Sequence, residues 1–288
     1  MGRDAVVVRE LRMPRTLLGL LVGLALGAAG AVAQDVTRNP LGDPGLIGVS
    51  AGGAFAVAAS IGLLGLNSSH QYVWFAFLGG ALAGLLAYAV GGTGYGDATP
   101  AKLALAGAAV TVLLDAFTNA LVLLDFRTLD QYRYWAVGSL AGRDPELALR
   151  LLPFIAAGLL LALALSGRLN ALALGDDLAA TLGARVRTTR ALGAVAVILL
   201  TGAAVAAAGP VAFVALGAPQ IARRLAGTAG IPLVISGLTG AVLLLLADLA
   251  ARLLFAPTEL PVGIITGAVG APYLLLLLAR ANRSGKGG

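Results

Sequence analysis

The chain is dominated by a succession of apolar blocks, each close to the length of a membrane crossing. A helix needs about 20 mostly apolar residues to span a bilayer. Blocks of that kind run over 16–34, 45–64, 72–91, 102–124, 147–166, 190–208, 211–226, 232–254 and 262–279, nine in all. The seventh is short, and Pro219 interrupts it. A soluble fold would have to cover these blocks with polar surface. Only 12% of the residues are charged and 59% are hydrophobic, whereas soluble domains carry about a quarter charged residues. Lipid as the solvent removes the conflict. The expectation is an all-α, polytopic transmembrane bundle of about nine spans in a single domain, 1–288. Within it, 1–15 is an extracytoplasmic lead-in, 16–280 the bundle and 281–288 a cytoplasmic tail.

The segment 131–141 is too short to span. Its Tyr132, Tyr134 and Trp135 suit a helix at headgroup depth, where amphipathic rings settle. The first block follows Arg9, Arg12 and Arg15 and reads as a span, with no convincing cleavage site behind it.

Several chemistries are excluded. There is no cysteine, so disulfides, thiolate metal sites and cysteine nucleophiles are absent together. The single histidine, His70, lies in the polar stretch Asn67–Gln71 and reads as a surface residue. No metal centre and no cofactor are expected. The net charge of +6 does not point to nucleic acid, because the arginines punctuate apolar blocks and build no basic face with interleaved aromatics.

Arginine and lysine bias sets the orientation. One set of alternate loops holds Arg38; Lys102; Arg168, Arg185, Arg187 and Arg190; Arg223 and Arg224; and Arg280, Arg283 and Lys286. The positive-inside rule puts that side, and the C-terminus, in the cytoplasm. Arg127, Arg133, Arg143, Arg150 and Arg252 lie opposite, with Arg3, Arg9, Arg12 and Arg15 breaking the rule.

Small residues recur at spacing four: Gly19, Gly23 and Gly27; Gly48 and Gly52; Gly80 and Gly84; Gly263 and Gly267. Between lipid-embedded helices, close backbone approach supplies much of the packing energy. Turn residues cluster at Asn39-Pro40-Leu41-Gly42-Asp43-Pro44 and Gly209-Pro210, and such breaks at membrane depth are tolerated where they line a cavity or are buried in protein.

The loop 168–190 is the most informative. Leu174, Leu178 and Leu182 form one apolar stripe. Asp176 can cap a short helix, Asp177 complements its dipole, and Gly183 can end it in the left-handed conformation. Small Ala179 and Ala180 flank the stripe. The loop reads either as an amphipathic helix on the headgroups or as a knob fitting a groove on a soluble partner.

An ordered series of motifs then accompanies nearly the whole chain: LRMPRTLL at 11–18, RNPLGDPGLIGVS at 38–50, YWAVGSL at 134–140, LNALALGDD at 169–177, GPVAFV at 209–214, PQIARR at 219–224, ADLAAR at 247–252 and ELPVGIITGAVGAP at 259–272. This series resembles the FecCD-type (BtuC-like) permease subunits of ABC importers for iron-siderophores, vitamin B12 and haem. The resemblance implies a homodimer with a pathway at its two-fold axis, in the bacterial cytoplasmic membrane. It implies two cytoplasmic ATPase subunits and an extracytoplasmic substrate-binding protein. Leu174, Gly175, Asp176, Asp177, Leu178, Ala179, Leu182 and Gly183 would couple to the ATPase. Arg12, Arg15 and Arg252 would meet acidic residues of the binding protein, with snorkelling at a helix end the other reading of Arg252. Asn39, Pro40, Asp43 and Pro44 would belong to the family's signature loop. Ferric siderophore is the expected cargo, with cobalamin and haem as alternatives.

The resemblance has three departures. Family members carry one more span before the Arg12–Arg15 segment, which points to a truncated start. Gln220 stands where histidine is usual, and Asp176-Asp177 where glutamate is common. The chain has no G-x-x-x-x-G-K-[ST] phosphate loop, so ATP chemistry would belong to the partner.

Polar residues inside the spans are few. Asp115, Thr118 and Asn119 fall at i, i+3 and i+4, on one helix face. They read either as pathway lining or as an interhelical hydrogen-bond cluster. Thr99 and Pro100 would stand at the gate end of that helix. Asp248 and Arg252, one turn apart, read as a structural ion pair. An ion-coupled secondary transporter would need embedded carboxylates or histidines, and only Asp115 and Asp248 qualify. No nucleophile–base or paired-carboxylate set supports an intramembrane enzyme.

Overall fold

A computed structural model describes residues 7–66, 68–92, 99–144, 146–227, 232–254 and 258–284. Arg3, Asn67 and Lys286 lie outside the described residues. The helices are α1 (Met13–Thr37), α2 (Val49–Gly62), α3 (Ser69–Gly91), α4 (Pro100–Leu124), α5 (Phe126–Ala136) and α6 (Leu147–Ala173). They continue with α7 (Asp176–Thr181), α8 (Val186–Ala208), α9 (Val214–Ala226), α10 (Leu233–Leu253) and α11 (Val262–Ser284). A π-helical turn, Val7–Arg12, leads into α1, and a 3-10 turn, Pro44–Ile47, precedes α2. No strand occurs among the described residues.

Every apolar block overlaps one of these helices, and the all-helical expectation holds. Among the described residues, six helices are long and apolar enough to cross a membrane by themselves: α1 with its leading turn, α3, α4, α6, α8 and α10, with α2 and Val262–Leu275 of α11 as shorter apolar helices. Helix α2 has 14 residues and α9 has 13. The turns at 38–48 and 209–213 consume residues that hydropathy alone counts as span. Helix begins before residue 16, within the lead-in segment. The interfacial helix begins at Phe126 rather than 131, because Asp125 caps it there.

Helix α1 is the hub. It packs along α10, α8, α9 and α6, and its residues from Ala25 to Val36 are buried. The apolar residues in this stretch of α1 are alanine, valine and one leucine, so neighbouring backbones come close. Gly23 lies against the backbone of Gly240 and Ala241, and Gly27 against Ser236 and Gly237. Gly52 likewise meets Gly79 of α3. Two of the spaced glycines do something else. Gly48 is a turn residue at φ +81° that begins α2, and Gly267 faces open space where a Cβ would stand.

Pro219 does not interrupt α9, contrary to the sequence expectation; the helix runs through it. A proline in a helix interior leaves the carbonyl four residues back without its usual donor. That carbonyl, of Ala215, lies against Gly30 of α1. The proline therefore fits a contact in which one backbone seats directly on another.

Candidate functional site

Three features lie along the bundle: a knob at one end, a cavity bordered by the signature loop, and an ion-pair cluster at the opposite end. At the knob, α7 is a single short helix held by Ala179, which is fully buried against Leu172 and Ala184. With the alanine face turned in, the leucines turn out: Leu174, Leu178 and Leu182 are 62%, 56% and 67% exposed. Gly183 ends the helix at φ +81°, as expected. The cap differs from expectation. Gly175 is the N-cap residue and Asp176 is the first helical residue, with no side-chain cap bond. The Asp176 carboxylate instead accepts from Arg190 Nη2 at 2.7 Å, and Arg38 Nη1 lies 3.7 Å away. Asp177 is exposed.

Arg38 closes α1 in the left-handed conformation, φ 50°, unusual for a residue with a side chain. The signature loop comes next. Asn39 Oδ1 accepts from Leu41 N at 2.9 Å, and Asp43 Oδ1 accepts from Gly45 N at 2.7 Å to start the 3-10 turn. Gln220 Nε2 of α9 donates to Pro40 O, so the residue that departs from the family pattern clamps the loop. Gln34 holds α9 as well, donating to Leu216 O at 3.2 Å and accepting from Arg223. Asp43, Pro44 and Ser50 border a cavity of about 410 Å³ that also meets Thr201, Pro210 and Gly263. Its walls include the breaks at 43–45, 136–137 and 210–212. Ser139 N donates to Ala208 O at 2.7 Å and Gly263 N to Gly138 O at 3.1 Å, joining the three breaks by backbone alone.

At the opposite end, Arg15 reaches Asp248 at 2.7 Å and Glu259 at 2.6 Å. Asp248 also pairs with Arg252 at 3.0 Å, the pairing expected from their spacing. Arg15 is therefore occupied within the chain, its side chain 13% exposed, whereas Arg12 is exposed and Arg252 is 26% exposed. Nearby, Asp125 caps α5. It accepts from Thr128 Oγ1 at 2.6 Å, Thr128 N at 3.0 Å and Arg127 N at 3.3 Å. The Thr128 bonds, which favour the ionised form, hold its carboxyl below the ordinary value of 3.8. Its stabilisation of α5 is thus complete above that value and is lost as pH falls through the lower folded value. Trp135 fluorescence, read across an acid titration, will show α5 loosening as pH falls in the unaltered chain, whereas Asp125→Ala will be loosened already at neutral pH and will lack that acid step.

Helix α4 is the least buried of the six long helices. Asp115 and Asn119 are exposed on it, along with Leu113 and Phe117. Thr118, at the edge of their face, does not share their exposure. It is buried and donates to Leu114 O at 2.7 Å. Thr99 caps α4 by accepting from Lys102 N at 3.3 Å, with Pro100 in the first turn. The buried edge of α4 meets the signature loop where Val110 touches Gly48.

Close-packed apolar helices, backbone-lined breaks and a short exposed helix define a polytopic membrane protein. Residues 2–280 match the family model described as the FecCD transport family, and the chain belongs to that family. It is 42% identical over 286 residues to the ferric enterobactin transport system permease protein FepD of Escherichia coli (strain K12), covering 98% of this chain and 84% of that one. It is 37% identical over 281 residues to the probable siderophore transport system permease protein YfiZ of Bacillus subtilis (strain 168), covering 97% and 84%. Among solved structures, a metal-chelate type ABC transporter in an inward-facing conformation superposes with a TM-score of 0.86 at 29% identity, over 97% of this chain and 90% of that one. The chain is accordingly a multi-pass permease of the bacterial inner membrane.

Some residues of the site gave no signal in the sequence. Glu259 as a partner of Arg15 lies 244 positions away, and Arg190 as a partner of Asp176 lies across a turn. Nothing in spacing or periodicity pairs them.

Proposed function

We propose that this chain is the membrane-spanning subunit of an ABC importer that carries a ferric siderophore inward, driven by a separate ATPase. The exposed leucine stripe on α7 carries the reading. Three leucines held outward by a buried alanine make a docking device rather than part of the chain's own core. The motor is a cytoplasmic ABC ATPase, and an extracytoplasmic binding protein delivers the cargo. The names of FepD and YfiZ supply the cargo class.

Two copies of the chain would face each other across α4. A carboxylate exposed on an apolar membrane helix is costly against lipid and stable beside water. Asp115 and Asn119 therefore favour a wet axis between copies. Thr99 and Pro100 lie at the inner end of that axis, and the C-terminus is cytoplasmic. Arg12 and Arg252 are the docking residues for the binding protein, and Arg15 holds their surroundings in place. Closure of the ATPase dimer pushes α7, and the helices rock to open the cavity and axis to alternate sides. The docking leucines and the ion pairs belong to this chain; nucleotide hydrolysis belongs to the partner.

Proteoliposomes holding this chain, its genomic-neighbour ATPase and binding protein test the proposal. Uptake of radiolabelled ferric enterobactin that requires ATP supports it. Uptake driven by an ion gradient without ATP, or of cobalamin or haem to the exclusion of the iron chelate, contradicts it.

A further inference from the structure

The two arginines on Asp176 come from different helices, and this arrangement has a mechanical meaning. Arg190 sits in the first turn of α8, 2% exposed, and donates to Asp176 Oδ1 at 2.7 Å. Arg38 ends α1, and its Nη1 lies 3.7 Å from the same oxygen. One carboxylate thus ties the knob to the entry of one buried helix and the exit of another.

The exit of α1 matters more, because it leads straight into the signature loop. Arg38 is immediately followed by Asn39 and Pro40, and the Pro40 carbonyl is held by Gln220 of α9. Asn39 O accepts from Gly42 N at 2.8 Å, which makes a tight turn. Asp43, Pro44 and Gly45 come next and border the cavity. Gly48 then rests on Val110 of α4. Hydrogen bonds stiffen most of the stretch from Arg38 to Gly48. A shift of the Arg38 side chain acts on a backbone already held at φ 50°, outside the conformations that residues with side chains prefer.

We propose that Asp176 is a positioning residue that passes movement of the α7 knob, through Arg38, to the loop 39–48 and so to the cavity wall and α4. The exposed leucines grip the partner, and the part-exposed carboxylate at the start of the same helix moves the permease. Grip and transmission are therefore separate jobs on one helix. This rests on the functional reading above, since it needs a motor at the knob.

The test uses the full complex in proteoliposomes, with uptake, ATP hydrolysis and ATPase co-purification measured on each variant. Asp176→Asn keeps the shape of the side chain and removes the charge. It should retain the ATPase and its hydrolysis while uptake falls on the order of tenfold, the scale of a typical coupling between sites. Asp176→Glu should restore uptake. Arg38→Asn removes the other charge with a side chain that tolerates the left-handed conformation. It should show the same uncoupling, and the double variant should be no worse than either single one. Arg38 is half exposed, so this variant tests the link even if Asp176→Asn folds poorly. Wild-type uptake in either Asn variant overturns the inference. So does loss of ATPase binding in step with uptake, which would make Asp176 part of the grip. If the unaltered complex shows no ATP-driven uptake, the functional reading itself falls, a distinct result.

Discussion

Replacing Leu178 and Leu182 together with glutamate will abolish uptake while the chain still reaches the membrane. Both side chains are more than half exposed, and neither belongs to a buried cluster. Their loss therefore costs the fold little. Docked in an apolar groove, each leucine is worth about 1.5–3 kcal/mol of burial. Losing both removes roughly 3–6 kcal/mol of binding, and each 1.4 kcal/mol is a factor of ten. Affinity for the ATPase should fall by at least about a hundredfold, more once two carboxylates face an apolar groove. Three measurements on one preparation check this: membrane fractionation, co-purification of the ATPase and chelate uptake. Unchanged uptake would remove α7 as the docking element.

The second large effect lies at the other end of the bundle. Arg15→Met will strip Asp248 of one of its two cationic partners and leave Glu259 unpaired. Asp248 is 2% exposed, so its carboxylate has little access to water. Breaking a buried ion pair from one side costs about 3–5 kcal/mol. Arg252→Met should cost clearly less, because that arginine is more exposed and sits on the same helix as Asp248. Thermal unfolding of the detergent-solubilised variants ranks the two. Equal stabilities would mean that the cluster does not pin α1 to α10.

Much of this architecture was legible because lipid leaves the chain few choices. A backbone in hydrocarbon must satisfy its own polar groups, so long apolar blocks become helices. Sequence reading placed α3, α4 and α10 within a few residues for that reason. It failed where apolar composition and helix part company. Residues 45–48 and 211–213 are apolar yet form turns, because Pro44, Gly48 and Gly209 set the backbone there. Pro219 misled in the opposite sense, since proline punctuates most helices, but α9 tolerates it where Ala215 O has Gly30 to rest on.

The knob was legible for a different reason. Leu174, Leu178 and Leu182 repeat at a helical interval in a loop too short to span, and Ala179 between them is small enough to be the buried contact. The charges around it were not. An aspartate at a helix start reads as a cap, and only the fold brings Arg190 and Arg38 to its oxygen. Of Asp115, Thr118 and Asn119, only the first and last are exposed. A threonine in a helix can turn inward and return its hydroxyl to the carbonyl four residues back, and Thr118 does so.

If one small helix of this otherwise membrane-buried chain holds a separate motor, that helix must face the cytoplasm and be covered when the motor binds. The chain has no cysteine, so Leu178→Cys creates a single thiol at the tip of that helix. In oriented vesicles the account predicts labelling by a membrane-impermeant maleimide from the cytoplasmic side alone, protection from the label when the ATPase is bound, and a cross-link to the ATPase. Labelling from the outer side, or full reactivity with the ATPase present, would contradict it.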